Sequence, residues 1–193
     1  MKEVLIFLLI FIIIFIFAFI IFNGRFFYAQ LKYSSLGLSP IDQDINKIEK
    51  IVIPSIGVEA PIIFPENKNE YVLQKALENG VVYWPNSASI NEKGTIIILG
   101  HSSAYPWYQG NYGSVFSLLN KLGEGDSIFL FSDKEKYVYG VVGKEIEAPK
   151  NLTLETQKEE SVLYLISCWP INTDWKRIVI KAIGVDPSPN LPE

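Results

Sequence analysis

The sequence predicts one mainly β domain whose short strands form a mixed, mostly antiparallel barrel or sandwich. After residue 45, short β-branched apolar runs recur and are interrupted by Pro, Gly and polar turns. Only two segments have the apolar spacing of helices, which is too few for a parallel α/β sheet. The chain has 193 residues, 49% of them hydrophobic, which suits a single well-filled core.

Eight strands and two helices, separated by turns and loops, are predicted along this domain. Apolar runs predict strands, in order, over residues 48–53, 58–64, 81–84, 95–99, 127–131, 137–142 (continuing toward 148), 162–168 and 178–180. Pro54 and Pro65 mark strand ends. Helical spacing predicts helices over residues 71–79, ending at Gly80 as C-cap, and over residues 115–122, with Ser114 as N-cap.

The amino-terminal residues predict a membrane anchor. Residues 4–22 carry no charge and as a helix would span about 28 Å, close to the hydrocarbon thickness of a bilayer. A cleaved signal peptide would have a shorter apolar region and small residues at its cleavage site, whereas residues 27–29 read Phe-Tyr-Ala. We therefore expect a head at residues 1–3, an anchor at 4–22, a linker at 23–45, the β domain at 46–187 and a polar tail at 188–193.

Composition excludes several function classes. The formal net charge is −4 and no cluster of Lys and Arg occurs, which argues against nucleic acid as a partner. A single cysteine cannot form an intramolecular disulfide, and one Cys with one His cannot complete a four-ligand zinc site without several carboxylates. Basic residues flank the anchor on both sides, so their charges do not decide its orientation. The short head favours an extracytoplasmic domain.

Three chemically distinctive side chains stand at the ends of predicted strands. Cys168 is the only cysteine, His101 is the only histidine, and Arg177 begins the last strand. A thiolate is a strong nucleophile, an imidazole can move its proton, and a guanidinium can stabilise an oxyanion. The alternative is structural, with a buried cysteine, a loop histidine and a surface ion pair. The abrupt change from apolar run to polar residue at His101 and Cys168 favours acyl-transfer chemistry.

The motifs around these residues resemble those of sortases, the membrane-anchored cysteine transpeptidases of bacterial surfaces. Residues 164–168, Tyr-Leu-Ile-Ser-Cys, are similar to the Thr-Leu-x-Thr-Cys signature, with Tyr and Ser in place of the two Thr residues. Residues 177–180 resemble the strand that opens with arginine, and 100–102 the Gly-His motif. Residues 53–62 resemble the first strand pair, and 115–130 the helix and the strand that follows it.

This resemblance implies an eight-stranded closed β-barrel with two short helices, on the outer side of a bacterial membrane behind one transmembrane helix. Cys168 would attack the Thr–Gly bond of an Leu-Pro-x-Thr-Gly-like sorting signal and form a thioacyl enzyme. His101 would be the acid–base group, and Arg177 would stabilise the oxyanion or position the substrate. The acceptor would be the amine of a cell-wall precursor or a protein lysine. No cofactor is implied; some sortases bind calcium through acidic loops, and nothing in this sequence specifies such a site.

Two features depart from the family pattern, and two other classes stay open. Trp169-Pro170 follows the cysteine, and an aromatic loop at residues 105–112 either covers the barrel rim or lines the substrate site. The loop at residues 148–160 corresponds to the usual specificity element. L,D-transpeptidases place a His just before the cysteine and an Arg two residues after it, whereas this chain has Ser167 and Pro170 there. A catalytically silent, membrane-tethered assembly module is the other alternative.

Overall fold

The β domain is a closed barrel of eight strands in the order β1-β2-β3-β4-β7-β8-β6-β5. The structure is a computed structural model, which describes residues 6–15, 17, 49–105 and 108–185. The strands are β1 Lys50–Ile53, β2 Val58–Ile63, β3 Val81–Tyr83, β4 Gly94–Leu99, β5 Ser127–Ser132, β6 Glu135–Glu147, β7 Ser161–Trp169 and β8 Lys176–Gly184. The eight-stranded closed barrel is therefore confirmed, and the sandwich alternative is not what forms.

The pairing of the strands is mostly antiparallel. Only β2 with β3 and β4 with β7 pair in parallel, whereas the other six pairs in the ring are antiparallel. The parallel pair β4–β7 joins segments that lie far apart in the chain. It places the carboxyl ends of both strands at the same end of the barrel, which is where the candidate site lies.

Side chains alternate between the inside and the outside of the barrel. On β7, Leu163 and Leu165 belong to the main core, whereas Ile166 belongs to a second cluster on the opposite face. We call this second cluster the outer cluster. Its members are Val162, Tyr164, Ile166 and Val179, with Ile97, Leu99, Leu152 and Leu154 packed against them. Because Leu152 and Leu154 come from the loop between β6 and β7, that loop covers part of the outer face.

Two α-helices are described, and the second covers another part of the outer face. Helix α1 is residues 6–15. Helix α2 is Glu70–Leu77, and its N-cap Asn69 accepts a hydrogen bond from the Tyr71 backbone N–H. Buried residues of α2 pack on Val82 of β3. The prediction that Gly80 is the helix C-cap is wrong, since Glu78 ends the helix in right-handed geometry. Gly80 is needed because an added Cβ would lie 2.3 Å from the Pro61 carbonyl oxygen.

The second predicted helical segment forms, but not as an α-helix. Residues 113–118 are successive turns, and Leu119–Lys121 is a 3-10 helix. The backbone N–H groups of Ser117, Lys121 and Leu122 all donate to carbonyls three residues earlier. Phe116 instead donates to His101, outside the segment. This tertiary bond and the tighter turns replace the α-helical pattern predicted with Ser114 as its cap.

The amino-terminal anchor prediction is only partly covered by described residues. Residues 6–15 are helical and their apolar side chains are exposed. Residues 4, 5, 16 and 18–22 of the predicted anchor lie outside the described part, as do the predicted head, linker and tail. Among the helices that are described, none is both long and apolar enough to cross a membrane.

Candidate active site

Cys168 and Arg177 lie directly opposite each other on neighbouring strands. Strands β7 and β8 are antiparallel, and their register pairs Cys168 with Arg177. Cys168 is two residues from Ile166, and Arg177 is two residues from Val179, so both share the outer face with these members of the outer cluster. Directly opposed residues on one face have Cβ atoms about 5 Å apart. The thiol and the guanidinium therefore start from the same patch of the barrel surface.

His101 reaches the same end of the barrel from the other side of β7. The parallel register pairs Leu99 with Ile166, so His101 and Cys168 stand at equivalent positions, two residues further along each strand. The ladder continues past the strand end, because the Gly100 N–H donates to the Ile166 carbonyl at 3.1 Å. The three predicted site residues thus lie at one rim, on or directly after the three neighbouring strands β4, β7 and β8.

A buried hydroxyl ties the cysteine strand to the histidine strand. Ser167 is 3% exposed, and its Oγ donates to the Gly100 carbonyl at 2.7 Å. The residue before the nucleophile is thereby bonded to the residue before the histidine. A hydroxyl side chain is needed at this position for that bond, which explains why Ser can stand where the sequence signature has Thr.

Gly100 is required by close packing. A Cβ on Gly100 would lie 2.4 Å from a ring carbon of Phe116, a side chain that is 1% exposed. The Phe116 N–H also donates to the His101 carbonyl at 2.9 Å. The turns after the aromatic loop therefore pack against the backbone that carries the histidine and restrict its position.

The His101 imidazole is largely surrounded by protein. Its Nε2 is buried and has no hydrogen-bond partner within the described part of the chain. Its ring meets the ring of Tyr108 edge-on, with centroids 5.4 Å apart. Burial lowers the pKa of His101 below its usual value of 6.5. The imidazole is therefore mainly neutral at pH 7, the form that can accept a proton from a thiol.

Backbone carbonyls hold the guanidinium of Arg177 from one side. Its Nη1 donates to the carbonyls of Asp174 and Lys176, both at 2.9 Å. The remaining N–H groups of this side chain can face a ligand. Cys168 is a partly exposed free thiol, and Arg177 lies opposite it in the strand register. An accessible thiol is therefore paired across the two strands with a permanently charged residue.

Two loops meet at this rim. The Asn172 N–H donates to Ser103 Oγ at 2.9 Å, which joins the β7–β8 loop to the segment after His101. Trp169 packs against the main core from inside the rim, and the Trp169–Pro170 peptide bond is cis. The Trp-Pro pair that departs from the family pattern therefore lies at the end of β7, where Trp169 is the last strand residue and Pro170 begins the loop.

The loop between β6 and β7 is fastened to the outer face of the barrel. Leu152 and Leu154 pack on the outer cluster, Glu155 forms an ion pair with Lys181 at 2.8 Å, and the Gln157 N–H donates to Thr95 Oγ1 at 2.8 Å. The loop therefore covers the buried outer cluster, and its own Leu152 and Leu154 remain partly exposed. Its role as the specificity element stays a prediction.

No metal centre is apparent in the described ranges. Within residues 6–15, 17, 49–105 and 108–185, His, Cys, Asp and Glu side chains nowhere group in threes that could hold an ion. The rim brings together a thiol, an imidazole and a guanidinium, a set of groups suited to acyl transfer.

Two contributing residues were not singled out from the sequence. Ser167 appeared only as a departure from a signature, and Tyr108 only as one member of the aromatic loop. In the structure that loop is not uniform, since Tyr105 is 71% exposed whereas Tyr112 packs against the core. A hydroxyl directly before the cysteine was the available signal for Ser167. No local pattern distinguishes Tyr108 from its aromatic neighbours.

Comparison with known proteins identifies related chains. A family model described as a sortase domain matches residues 51–185. Sortase A of Bacillus anthracis is 25% identical over 136 residues, covering 69% of this chain and 57% of that protein. Sortase D of Bacillus subtilis (strain 168) is 28% identical over 123 residues, covering 62% of this chain and 53% of that protein. The matches thus span little more than half the length of these relatives.

A solved structure shares the architecture. The lid mutant of sortase A from Corynebacterium diphtheriae superposes with a TM-score of 0.62 and 24% identity, covering 74% of this chain and 72% of that chain. At this level of identity the likeness concerns the fold. It agrees with the barrel fold described above.

Proposed function

This chain belongs to the sortase family, and we propose that it is a cysteine transpeptidase acting on a sorting signal of the Leu-Pro-x-Thr-Gly type. It cleaves the Thr–Gly bond and transfers the acyl group to an amine. The observation that carries the proposal is the cross-strand pairing of Cys168 with Arg177, with His101 at the equivalent position on the other neighbouring strand.

The first half-reaction forms a thioester. Neutral His101 takes the proton of the Cys168 thiol, and Sγ attacks the carbonyl carbon of the substrate threonine. The oxygen of the tetrahedral intermediate becomes negative, and the guanidinium of Arg177 stabilises it. The carbon–nitrogen bond to glycine then breaks, and His101 returns its proton to the leaving amine. The products are a thioacyl enzyme and a peptide with a new amino terminus.

The second half-reaction transfers the acyl group. An acceptor amine attacks the thioester carbonyl, and His101 receives the proton of that amine. The carbon–sulfur bond then breaks, and His101 returns this proton to sulfur, which regenerates the thiol and the neutral imidazole. The acceptor is the amine of a cell-wall precursor or a lysine of a protein. The members of the outer cluster are buried, but Leu99, Leu152 and Leu154, which pack on it, are partly exposed and support a site for the apolar part of the sorting signal.

The proposal includes a location. Sortases are generally associated with the cell surface, and we place this catalytic domain, residues 46–187, outside a bacterial membrane. Residues 4–22 would be its single-pass anchor. Expression of the full chain and of a variant lacking residues 4–22, followed by membrane fractionation, tests this. Recovery of both in the same soluble fraction would contradict the anchor, and protection of the full chain from external protease would contradict the orientation.

The activity has a direct test. The full chain in detergent is incubated with a library of sorting-signal peptides and an amine acceptor, and mass spectrometry follows the thioacyl adduct and the transpeptidation product. We expect an adduct on Cys168 and none in Cys168→Ala. Equal turnover by that variant would refute the assignment. A folded parent that forms no adduct with any peptide would favour the silent assembly module.

A further inference from the structure

The orientation of the His101 ring is not set by hydrogen bonds at Nε2. That atom is buried and lacks a partner in the described part of the chain. The neighbour that meets the ring is Tyr108, edge-on at 5.4 Å between centroids. Burial lowers the pKa of His101. Within the described part of the chain, the contacts that surround this side of the ring are therefore packing contacts.

Tyr108 is itself fixed to a different part of the barrel. Its hydroxyl donates to the carbonyl of Leu77, the last residue of α2, at 2.8 Å. The same loop donates once more to the end of that helix, from the Asn111 N–H to the Glu78 carbonyl at 3.3 Å. A helix packed on β3 thus holds a tyrosine against the histidine that follows β4.

Two glycines make room for this tyrosine ring. A Cβ on Gly110 would lie 2.6 Å from the Tyr108 ring and from the Glu78 carbonyl oxygen. A Cβ on Gly113 would lie 2.9 Å from the same ring. Because any larger residue at either position would displace Tyr108, the loop fits this ring closely and leaves it little freedom to turn.

We propose that Tyr108 is a positioning residue for His101, which it holds at the rim by linking the imidazole to the carboxyl end of α2. The proposal rests on the proposed function for its effect on catalysis, but the contact itself can be measured without a substrate. Tyr108 does not need to touch the substrate in this role. It keeps the imidazole in the orientation from which the Cys168 proton can be taken.

The test uses the fact that the chain contains a single histidine. In untagged full chain held in detergent micelles, the imidazole NMR signals belong to His101 alone, and their pH titration gives its pKa. Tyr108→Ala removes the covering ring, so we expect the His101 pKa to rise toward about 6.5. We also expect kcat to fall roughly 10- to 100-fold with KM little changed.

Two further variants separate the effect of the Tyr108 ring from that of its hydrogen bond to Leu77. Tyr108→Phe keeps the ring and loses the bond to Leu77, so the His101 pKa should stay at the parent value while kcat falls about fivefold or less. Tyr71→Ala, at a 74% exposed position on α2, is the matched control and should change neither quantity. If Tyr108→Ala does not fold, Tyr108→Leu removes the ring contact and the bond to Leu77 but keeps most of the apolar volume, so kcat and KM are then the readouts.

The outcomes distinguish the two proposals. A folded Tyr108→Ala variant with the parent pKa at His101 would overturn the positioning role, and so would the parent kcat in a folded Tyr108→Ala or Tyr108→Leu variant. An effect on KM alone would also overturn it. If the parent chain turns over no peptide, the proposed function fails, while the titration still shows whether Tyr108 covers the histidine.

Discussion

The bond between Ser167 and Gly100 offers a sharp test of how the site is assembled. Ser167→Thr and Ser167→Val differ only in that a hydroxyl is replaced by a methyl group of similar size. In the parent, the buried Ser167 Oγ donates to the Gly100 carbonyl at 2.7 Å. The Thr variant can keep this bond, whereas the Val variant leaves the carbonyl without its donor.

The expected difference follows from the burial of both groups. A hydrogen bond contributes about 0.5–1.5 kcal/mol net, and a buried acceptor left without a partner costs about 1–3 kcal/mol. We expect the Val variant to be about 1–3 kcal/mol less stable than the Thr variant, measured by urea unfolding. The melting temperature should differ by roughly 2–4 °C for each kcal/mol in a chain of this size.

The pair also reports on catalysis. Because Gly100 directly precedes His101, loss of the bond leaves the Gly100 N–H bond to Ile166 to hold this backbone to β7, and kcat should fall roughly tenfold in the Val variant relative to Thr. Equal stability of the two variants would refute the structural reasoning. Unequal stability with equal kcat would show that this bond stabilises the barrel without aligning the site.

Four further predictions test the site. Gly100→Ala should destabilise the fold by about 1–3 kcal/mol, because its Cβ would overlap Phe116. The control is Gly123→Ala, where a Cβ meets nothing within 4 Å. Equal urea midpoints for the two variants would contradict the overlap. The pKa of His101 is lowered in the folded state, so its contribution to stability is complete above about pH 6.5 and is lost as pH falls from there to the folded pKa. Urea unfolding at pH 7.5 and 5.5 should show this loss, and His101→Gln should reduce it; an unchanged pH slope would argue against burial as the cause. Arg177→Lys should lower kcat/KM at least 10²-fold, since an ammonium lacks the planar fork, and parent-level peptide turnover would remove that role. Treatment with EDTA should leave turnover unchanged, and a loss restored by calcium would reveal a metal requirement.

Many of the barrel's strands could be predicted because local patterns of apolar residues and turn residues determine them. The predicted strand over residues 58–64 is observed at Val58–Ile63, and that over 95–99 at Gly94–Leu99. β-branched alternation and Pro or Gly at the ends determine such segments without reference to the rest of the chain. The segment at residues 115–122 was not predictable in the same way. Its apolar spacing fits an α-helix, but packing of Phe116 against Gly100 and His101 imposes tighter turns.

The sequence by itself determined which side chains could carry acyl-transfer chemistry and that each stands at a strand end. Only the tertiary structure decided that they share one rim. Ser167 and Gly100 are bonded across 67 positions, and His101 is brought beside Cys168 by the parallel register of β4 and β7. Local periodicity carries no information about such long-range register, which is set by closure of the barrel around one core. Tyr108 could not be singled out from the sequence for the same reason. It differs from the neighbouring aromatic residues only by its contacts with the end of α2 and with His101.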